Sequence, residues 1–250
     1  MLHIYQNPSA ITAALAEWIT YTIETVLQTQ DRFTWVLTGG NSPKALYDML
    51  AESPYKERIA WNKLHIFWGD ERAVPFSDDR NNAKMTFDHL LNKVPVNPEQ
   101  VHVMRTDIEP EQSALEYQKM LHTYFGTEGN SFDLVLSGMG DDGHTLSLFP
   151  GTEVIHETKD WVKAFYLTAQ QMYRITLTAP VVNRASSVVF LTFGANKAKA
   201  LYEVLEGKPN VDVYPSQIIQ PASGKLHWFV DEPAAVLLNK KGECGTASKN

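Results

Sequence analysis

One segment of the sequence combines the residue types that acid–base chemistry requires. Residues 138–144 read Gly-Met-Gly-Asp-Asp-Gly-His and follow the short apolar run 132–136. Glycine has no Cβ, so such a loop can bring backbone N–H groups close to a ligand. His144 is the side chain best suited to exchange a proton near neutral pH, and Asp142 stands where it can orient the imidazole. We predict a catalytic base at His144; a tight turn that carries a surface histidine is the alternative.

A second glycine-containing loop has the pattern of an anion site. Gly39-Gly40-Asn41-Ser42 follows a predicted strand at 33–38 and precedes a helix whose first turn contains Pro43. Free N–H groups and the positive end of the helix dipole converge at such a turn. The segment lacks the Gly-x-x-x-x-Gly-Lys-Ser/Thr pattern of a Walker loop. We expect anion binding here, although a simple turn with Ser42 as helix N-cap is an equally good interpretation.

A charged triplet follows the next predicted strand. Asp70, Glu71 and Arg72 come after the strand at 64–68 and a single glycine. In open parallel sheets, ligands bind outside the carboxyl ends of the strands. The triplet is therefore expected in a loop at the same edge of the sheet as Gly39 and Gly40. The alternative is a solvated turn with an internal ion pair, which contributes little.

Lys197 is a further candidate ligand for an anion. It lies in the first turn of a predicted helix, after a strand at 187–193 and Gly194. A lysine beside the positive end of a helix is electrostatically unfavourable unless an anion lies in front of it. A solvated lysine is the alternative.

The order of the predicted elements indicates an α/β fold. An amphipathic helix at 11–26, which we expect Ser9 to cap, precedes alternating strands and helices. That alternation is typical of a mostly parallel, twisted sheet with helices on both faces, as in a Rossmann-like single domain. We predict this domain at 1–239 and a polar, frayed tail at 240–250. Besides those above, the predicted strands are 101–104, 161–166, 173–178 and 226–230, and the predicted helices are 81–92, 110–125, 195–205 and 232–238.

Composition and charge exclude several classes of partner. The chain has 250 residues and a net charge of -7, whereas nucleic acids and anionic membranes require a basic surface. The single cysteine, Cys244, cannot form an internal disulfide, which favours a reducing compartment. We find neither a leader pattern nor an apolar run of about 18 residues. We therefore expect a soluble, cytoplasmic protein with no nucleic-acid or membrane partner.

The glycine loop at 138–143 formally matches the Gly-x-Gly-x-x-Gly pattern of dinucleotide-binding proteins. That function needs a long helix after the loop and an acidic residue at the end of the next strand. Here Pro150-Gly151 ends any helix after about two turns, and Asp160 precedes the next strand. Adjacent aspartates at 141 and 142 would also repel a pyrophosphate. We therefore reject dinucleotide binding.

Motifs along most of the chain resemble those of the 6-phosphogluconolactonase family, and they stand in the same order. The loop that ends in His144 is the most specific of them. The family usually has Gly-Gly-Ser-Thr-Pro where this chain has Asn41-Ser42, and Ser-Asn where it has Asn81-Asn82. The motifs lie at 37–47, 67–75, 138–151, 174–178 and 194–198.

The resemblance implies hydrolysis of 6-phospho-D-glucono-1,5-lactone to 6-phosphogluconate in the pentose phosphate pathway, without cofactor or metal, and a phosphosugar-isomerase-like fold. His144 would take a proton from water and return it to the ring oxygen, with Asp142 holding the imidazole. Arg72 would stabilise the oxyanion, and Asp70 would contact sugar hydroxyls or hold Arg72. The substrate phosphate would be bound by the following residues: Gly39, Gly40, Asn41, Ser42, Arg174 and Lys197.

Alternatives remain within and outside this family. Glucosamine-6-phosphate deaminase, an isomerising enzyme of related fold, has Asp-Glu-Tyr where this chain has Asp70-Glu71-Arg72, and an additional glutamate where Leu148-Phe149-Pro150 stands. A non-catalytic sugar-phosphate-binding module would retain Arg174 and Lys197 and dispense with His144. The small-molecule partner is a phosphosugar lactone in the favoured interpretation, and we expect a monomer or small homo-oligomer.

Overall fold

The chain folds around a parallel β-sheet. The computed structural model of the protein describes residues 1–126, 129–239 and 243–244. Its strands are β1 (Leu2–Tyr5), β2 (Phe33–Leu37), β3 (Leu64–Trp68), β4 (Asp70–Arg72), β5 (Val101–His102), β6 (Leu134–Gly138), β7 (Val162–Leu167), β8 (Met172–Leu177), β9 (Val188–Thr192), β10 (Leu226–Asp231) and β11 (Glu243–Cys244). Its α-helices are α1 (Pro8–Val26), α2 (Lys44–Leu50), α3 (Tyr55–Arg58), α4 (Asn82–His89), α5 (Pro110–Phe125), α6 (Ala179–Val182), α7 (Ala198–Leu205) and α8 (Glu232–Ala235).

The main sheet has the strand order β11-β1-β10-β9-β6-β2-β3-β5, and its neighbouring strands run parallel. The predicted α/β class is therefore confirmed. From β2 the chain proceeds to β3 and β5 on one side, whereas β6, β9 and β10 follow on the other. The reversal lies between β2 and β6, where open α/β sheets form a crevice for ligands. The glycine loops after these strands meet at that crevice.

The sheet is buried on both faces. Along β6, Leu134 and Leu136 face one hydrophobic core, whereas Val135 faces the other. Helix α1 covers the first core with residues such as Leu15, and α5 covers the second with residues such as Leu121. A strand that is buried on both faces consists of consecutive apolar residues, which is why β6 could be predicted from the sequence.

A second, antiparallel sheet has the order β4-β8-β7. The charged triplet 70–72, which we expected in a loop, is its edge strand β4, with Asp70 opposite Thr176 and Arg72 opposite Arg174. The N–H of Leu177 also donates to the carbonyl of Gly69 at 2.8 Å. Pairing with β8 thus overrides the poor strand propensity of the acidic residues.

Several local predictions need correction at the chain ends. Strand β1 is missing from the sequence prediction because its residues are only half-buried and show no clear alternation. Helix α1 is capped by the Asn7 side chain, which accepts from the N–H of Ala10, and not by Ser9, which lies in the first turn. Residues 243–244 of the predicted frayed tail pair with β1 as β11. The remainder of that tail, 240–242 and 245–250, lies outside the described residues.

Some predicted elements are shorter in the structure. The helix predicted at 81–92 ends at His89, where a 3₁₀ turn at Leu91–Lys93 follows. The strand predicted at 101–104 is limited to Val101–His102, and the helix predicted at 232–238 is limited to Glu232–Ala235. The predicted strand at 132–136 lies two residues further along, at Leu134–Gly138.

We predict that Asp231→Ala destabilises the fold. The buried Asp231 Oδ1 accepts hydrogen bonds from the N–H of Gly194 and the N–H of Ala234, both at 2.9 Å. Truncation leaves both donors without a partner and removes the N-cap of α8, at a cost of about 1–3 kcal/mol in the free energy of unfolding. Urea denaturation with a fitted m-value measures this loss. Asp231→Asn, which keeps the acceptor oxygen, should lose less than half as much, and equal stability of the alanine variant and wild type would contradict the assignment.

Candidate active site

A cleft of about 280 Å³ lies at the carboxyl edge of the main sheet. The loops after β2, β6 and β9 contribute to its wall, together with β4, β8 and the turn between β7 and β8. Every predicted site residue except Asp142 lines this cleft, namely Gly39, Gly40, Asn41, Ser42, Asp70, Arg72, His144, Arg174 and Lys197. The structure thus brings together side chains that are far apart in the sequence.

His144 and Asp142 form a hydrogen-bonded pair. His144 Nδ1 lies 2.6 Å from Asp142 Oδ1, which also accepts from the His144 backbone N–H at 3.0 Å. Burial raises the pKa of the Asp142 carboxyl, but the hydrogen bonds and charge of His144 outweigh burial and hold it below its ordinary value. The carboxylate is therefore ionised at neutral pH. Because it occupies Nδ1, the imidazole can exchange protons with a ligand only through Nε2.

The glycines of this loop allow the histidine to lie against the backbone. A Cβ at Gly140 would lie 2.2 Å from His144 Nδ1 and 2.5 Å from Asp142 Oδ1. The N–H of Gly140 donates to the carbonyl of His144 at 2.8 Å, and Gly143 has a positive φ of 79°. These contacts close the loop on itself and place the imidazole next to Gly140.

Two arginines face each other across the antiparallel sheet. Arg72 and Arg174 are cross-strand partners on β4 and β8, and the side chain of Arg174 is only 5% exposed. Like charges directly opposite each other destabilise a sheet. The Nε atoms of both arginines are buried and have no hydrogen-bond partner among the described residues. An anion in the cleft would relieve the repulsion.

Arg174 is nevertheless held in place. It donates to the side-chain oxygen of Gln170, and its Nη1 lies 3.7 Å from Asp70 Oδ2. Burial lowers the pKa of the Arg174 guanidinium below its usual value; Asp70 opposes that shift, and the charge of Arg72 adds to it. Asp70 in turn accepts a hydrogen bond from Ser147 Oγ at 2.7 Å. The arginine is preorganised for a ligand in the cleft.

Glu71, between the two site residues of β4, points away from the cleft wall and binds backbone. Its carboxylate accepts from the N–H groups of Arg72, Asn82 and Ala83 at 2.8, 2.6 and 2.8 Å. Burial raises its pKa to about 7, against these three donors, which favour the charged form. Glu71 therefore joins β4 to the N-terminus of α4 and holds the backbone of Arg72 in place.

The loop after β2 presents an open helix N-terminus. Gly40 has a φ of 85°, and Pro43 occupies the N-cap of α2. No side chain in the described part of the chain caps this helix, so the alternative role of Ser42 as an N-cap is wrong. A Cβ at Gly39 would lie 1.8 Å from Asn82 Oδ1, so the loop approaches α4 closely. Its N–H groups are available to an anion.

Lys197 lines the same cleft, at the end of a 3₁₀ turn at Ala195–Lys197 that leads into α7. Its side chain is 18% exposed, and Nζ lies 3.6 Å from Asp141 Oδ1. This distance is too long for a hydrogen bond but within the range of an ion pair, so Asp141 partly balances the charge of the ammonium group. Lys197 therefore shares the cleft with the other candidate residues, and its role as a phosphate ligand stays a prediction.

Asn82, Phe149 and Gln170 are among the side chains that line the cleft and that sequence reasoning did not select as site residues. Asn82 donates to the carbonyl of Asp70 at 2.9 Å. In the sequence, Asn81-Asn82 is visible only as a pair of polar residues at the start of a predicted helix. The fold places Asn82 beside Gly39. Gln170 lies in a hairpin turn, where glutamine has no distinctive signal.

The described residues form neither a metal-binding cluster nor a membrane-spanning helix. Within residues 1–126, 129–239 and 243–244, no group of three or more His, Cys, Asp or Glu side chains could hold a metal ion. None of the helices in the same ranges has the length and apolarity needed to cross a bilayer.

Several known proteins are similar to this chain in sequence and in fold. The model of the family described as glucosamine-6-phosphate isomerases/6-phosphogluconolactonase matches residues 6–228. The 6-phosphogluconolactonase of Nostoc sp. is 36% identical over 95% of this chain and 98% of its own length. That of Synechocystis sp. is 38% identical over 86% of this chain and 89% of its own length. The solved structure of 6-phosphogluconolactonase from Trypanosoma brucei is 26% identical, with a TM-score of 0.83 over 95% of this chain and 98% of that one.

We predict that Gly140→Ala displaces His144 and lowers the turnover of any reaction that uses it as a base by about 100-fold. The physical reason is the overlap of the new Cβ with His144 Nδ1 and Asp142 Oδ1. Steady-state kinetics and a crystal structure of the variant measure both effects. Gly138→Ala is the matched control, since the nearest atom to its Cβ is the Leu191 carbonyl oxygen at 3.9 Å. Equal activity of the two variants would show that the imidazole tolerates displacement.

Proposed function

The chain belongs to the family of glucosamine-6-phosphate isomerases and 6-phosphogluconolactonases, and on this basis we propose that it hydrolyses 6-phospho-D-glucono-1,5-lactone to 6-phospho-D-gluconate, a step of the pentose phosphate pathway. The observation that carries the proposal is the Asp142–His144 pair, at 2.6 Å, in a cleft shared with Arg72 and Arg174. Hydrolysis of a phosphorylated ester needs a base, an oxyanion partner and a phosphate site, and this cleft contains candidates for all three.

His144 acts as the general base. With Nδ1 bound to Asp142, Nε2 accepts a proton from a water molecule as the water oxygen attacks the lactone carbonyl carbon. Asp142 keeps the tautomer that leaves Nε2 unprotonated and stabilises the imidazolium once it forms. The side chain of His144 is 27% exposed, so water can reach it.

Arg72 stabilises the negative charge that develops on the former carbonyl oxygen. Its guanidinium group lines the cleft, so the interaction of its positive charge with that oxygen strengthens as the oxyanion forms. The tetrahedral intermediate then expels the ring oxygen as the carbon–oxygen bond breaks. The imidazolium returns its proton to that oxygen, which becomes the 5-hydroxyl group. The new carboxylic acid ionises and releases one proton to solution.

The phosphate binds at the other cationic groups of the cleft. The loop Gly39–Ser42 offers N–H groups at the N-terminus of α2, and Arg174 and Lys197 offer positive charge. Asp70, bound to Ser147 and close to Arg174, holds that arginine and presents its carboxylate to sugar hydroxyls. The substrate is thereby oriented with its carbonyl group toward His144.

A deaminase-type isomerisation is less well supported. Ring opening of an amino sugar requires a further acid beside the histidine, but Leu148, Phe149 and Pro150 stand at the position where the deaminases carry glutamate. The named relatives with more than a third of their residues identical are lactonases. A non-catalytic binding module would have no need of the Asp142–His144 pair.

We extend the proposal to the setting of the enzyme. The partner is the phosphosugar lactone, with neither nucleic acid nor membrane, and the chain acts as a monomer or small homo-oligomer in the cytoplasm. The catalytic domain comprises residues 1–239. The acidic net charge of -7 and the single cysteine support this setting.

We predict that His144→Ala lowers kcat at least 100-fold, because it removes the proton acceptor. The assay offers freshly prepared 6-phosphogluconolactone and follows acid release, with glucosamine 6-phosphate and ammonia release in parallel. His156→Ala is the matched control, since His156 is exposed and pairs with Asp212 at the surface. Wild-type acid release no faster than spontaneous hydrolysis would reject the function, and near-normal turnover of the His144 variant would reject the mechanism.

We predict that Lys197→Met lowers kcat/KM for the phosphorylated lactone by about 10–100-fold, the loss of one charge-assisted contact. With unphosphorylated glucono-1,5-lactone, the same variant should equal wild type because the missing partner is the phosphate. Lys199→Met controls for a change of charge, since this neighbouring lysine is exposed. An equal loss on both lactones would assign Lys197 to another part of the substrate.

A further inference from the structure

Phe149 contacts both the histidine and an arginine of the cleft. Its ring stacks on the imidazole of His144, with a centroid distance of 4.1 Å and an interplanar angle of 25°. The guanidinium carbon of Arg174 lies 5.5 Å from the centroid of the same ring. Phe149 is 8% exposed, and it carries no group that can take part in acid–base chemistry.

The hydrogen bond to Asp142 alone does not define the orientation of the imidazole. It fixes the distance between Nδ1 and Oδ1, but both side chains keep their own χ1 and χ2 torsions, so the imidazole and the carboxylate can move together with the hydrogen bond intact. Gly140 limits that movement on the side of the loop backbone. A parallel aromatic ring on a face of the imidazole restricts the plane itself, and so the direction of Nε2.

Phe149 is itself held rigidly. The N–H of Leu148 donates to the carbonyl of Thr145 at 2.9 Å, and Thr152 Oγ1 donates to the carbonyl of Phe149 at 2.6 Å. Leu148, next to it, is fully buried in the core. These contacts fix the backbone of the short turn between His144 and Pro150. Phe149 belongs to this turn, so the position of its phenyl ring is fixed as well.

We propose that Phe149 is a positioning residue that fixes the plane of the His144 imidazole and the separation of His144 from Arg174. The inference rests on the proposed function, in which Nε2 must meet the water that attacks the lactone while Arg174 holds the phosphate. A displacement of about 1 Å in such a pair can cost about 100-fold in rate. Phe149 thus acts on the chemical step through His144 and not by binding substrate.

Kinetics of Phe149→Leu and Phe149→Tyr test this role. The leucine variant keeps an apolar side chain and removes the ring, so we expect kcat to fall about 10-fold or more, with less than about a 3-fold change in KM. The tyrosine variant keeps the ring and should recover most of kcat. Phe132→Leu is the matched control, since it removes a phenyl ring from the core at the start of β6 without contact to the cleft. A higher KM with unchanged kcat in Phe149→Leu would make Phe149 a substrate contact and overturn the proposal.

A spectroscopic measurement separates the positioning role from the function. In wild type without substrate, the ring current of a stacked phenyl group should shift the carbon-bound imidazole protons of His144 upfield. We expect the shift to persist in Phe149→Tyr and Phe132→Leu and to disappear in Phe149→Leu. Unchanged His144 signals in Phe149→Leu would reject the positioning role. If wild type lacks lactonase activity, the function fails, and these spectra still decide whether Phe149 orients the histidine.

Discussion

The central constraint on the site is the placement of Arg72 opposite Arg174 in the antiparallel sheet. The two positive charges repel each other; Arg174 is buried and Arg72 half-buried, and the Nε of each is removed from water without a hydrogen-bond partner among the described residues. The fold compensates in part through Asp70 and Gln170, which contact Arg174. The repulsion that remains favours an anion in the cleft, and the proposed phosphorylated substrate would supply one.

The two sheets meet at Gly69, and this junction makes the site possible. Gly69 follows β3 of the parallel sheet and precedes β4 of the antiparallel one; its N–H donates to Leu37 at 3.1 Å, and its carbonyl accepts from Leu177 at 2.8 Å. A Cβ here would lie 2.6 Å from the side chain of Leu146. Because Gly69 has none, the histidine loop packs directly on the junction. His144 is carried by a loop of one sheet and the two arginines by strands of the other, and the junction sets the separation between them.

The sequence predicts those parts of the site whose signals are local. His144, Gly40 and Lys197 each follow a recognisable strand, and parallel strands bring such positions to one edge. The arginine pair could not be predicted from spacing, because the pairing of β4 with β8 joins residues about a hundred positions apart in the chain. The roles of Glu71 and Asn82 are equally hidden, since a buried glutamate that binds backbone N–H groups looks like any charged residue in a turn. Long-range pairing, not local propensity, decides these contacts.

The same physics explains why a Gly-x-Gly-x-x-Gly loop here does not serve a dinucleotide. In dinucleotide sites the absent Cβ atoms leave space for a pyrophosphate in front of a long helix. In this chain the space at Gly140 is filled by His144 and Asp142. After His144 the chain forms a bridge between Thr145 and Leu148 and a positive-φ residue, Leu146, where a helix would have to begin. The glycines are therefore needed to accommodate a side chain of the protein itself, and the proposed anion site is the neighbouring loop before α2, a helix that no side chain among the described residues caps.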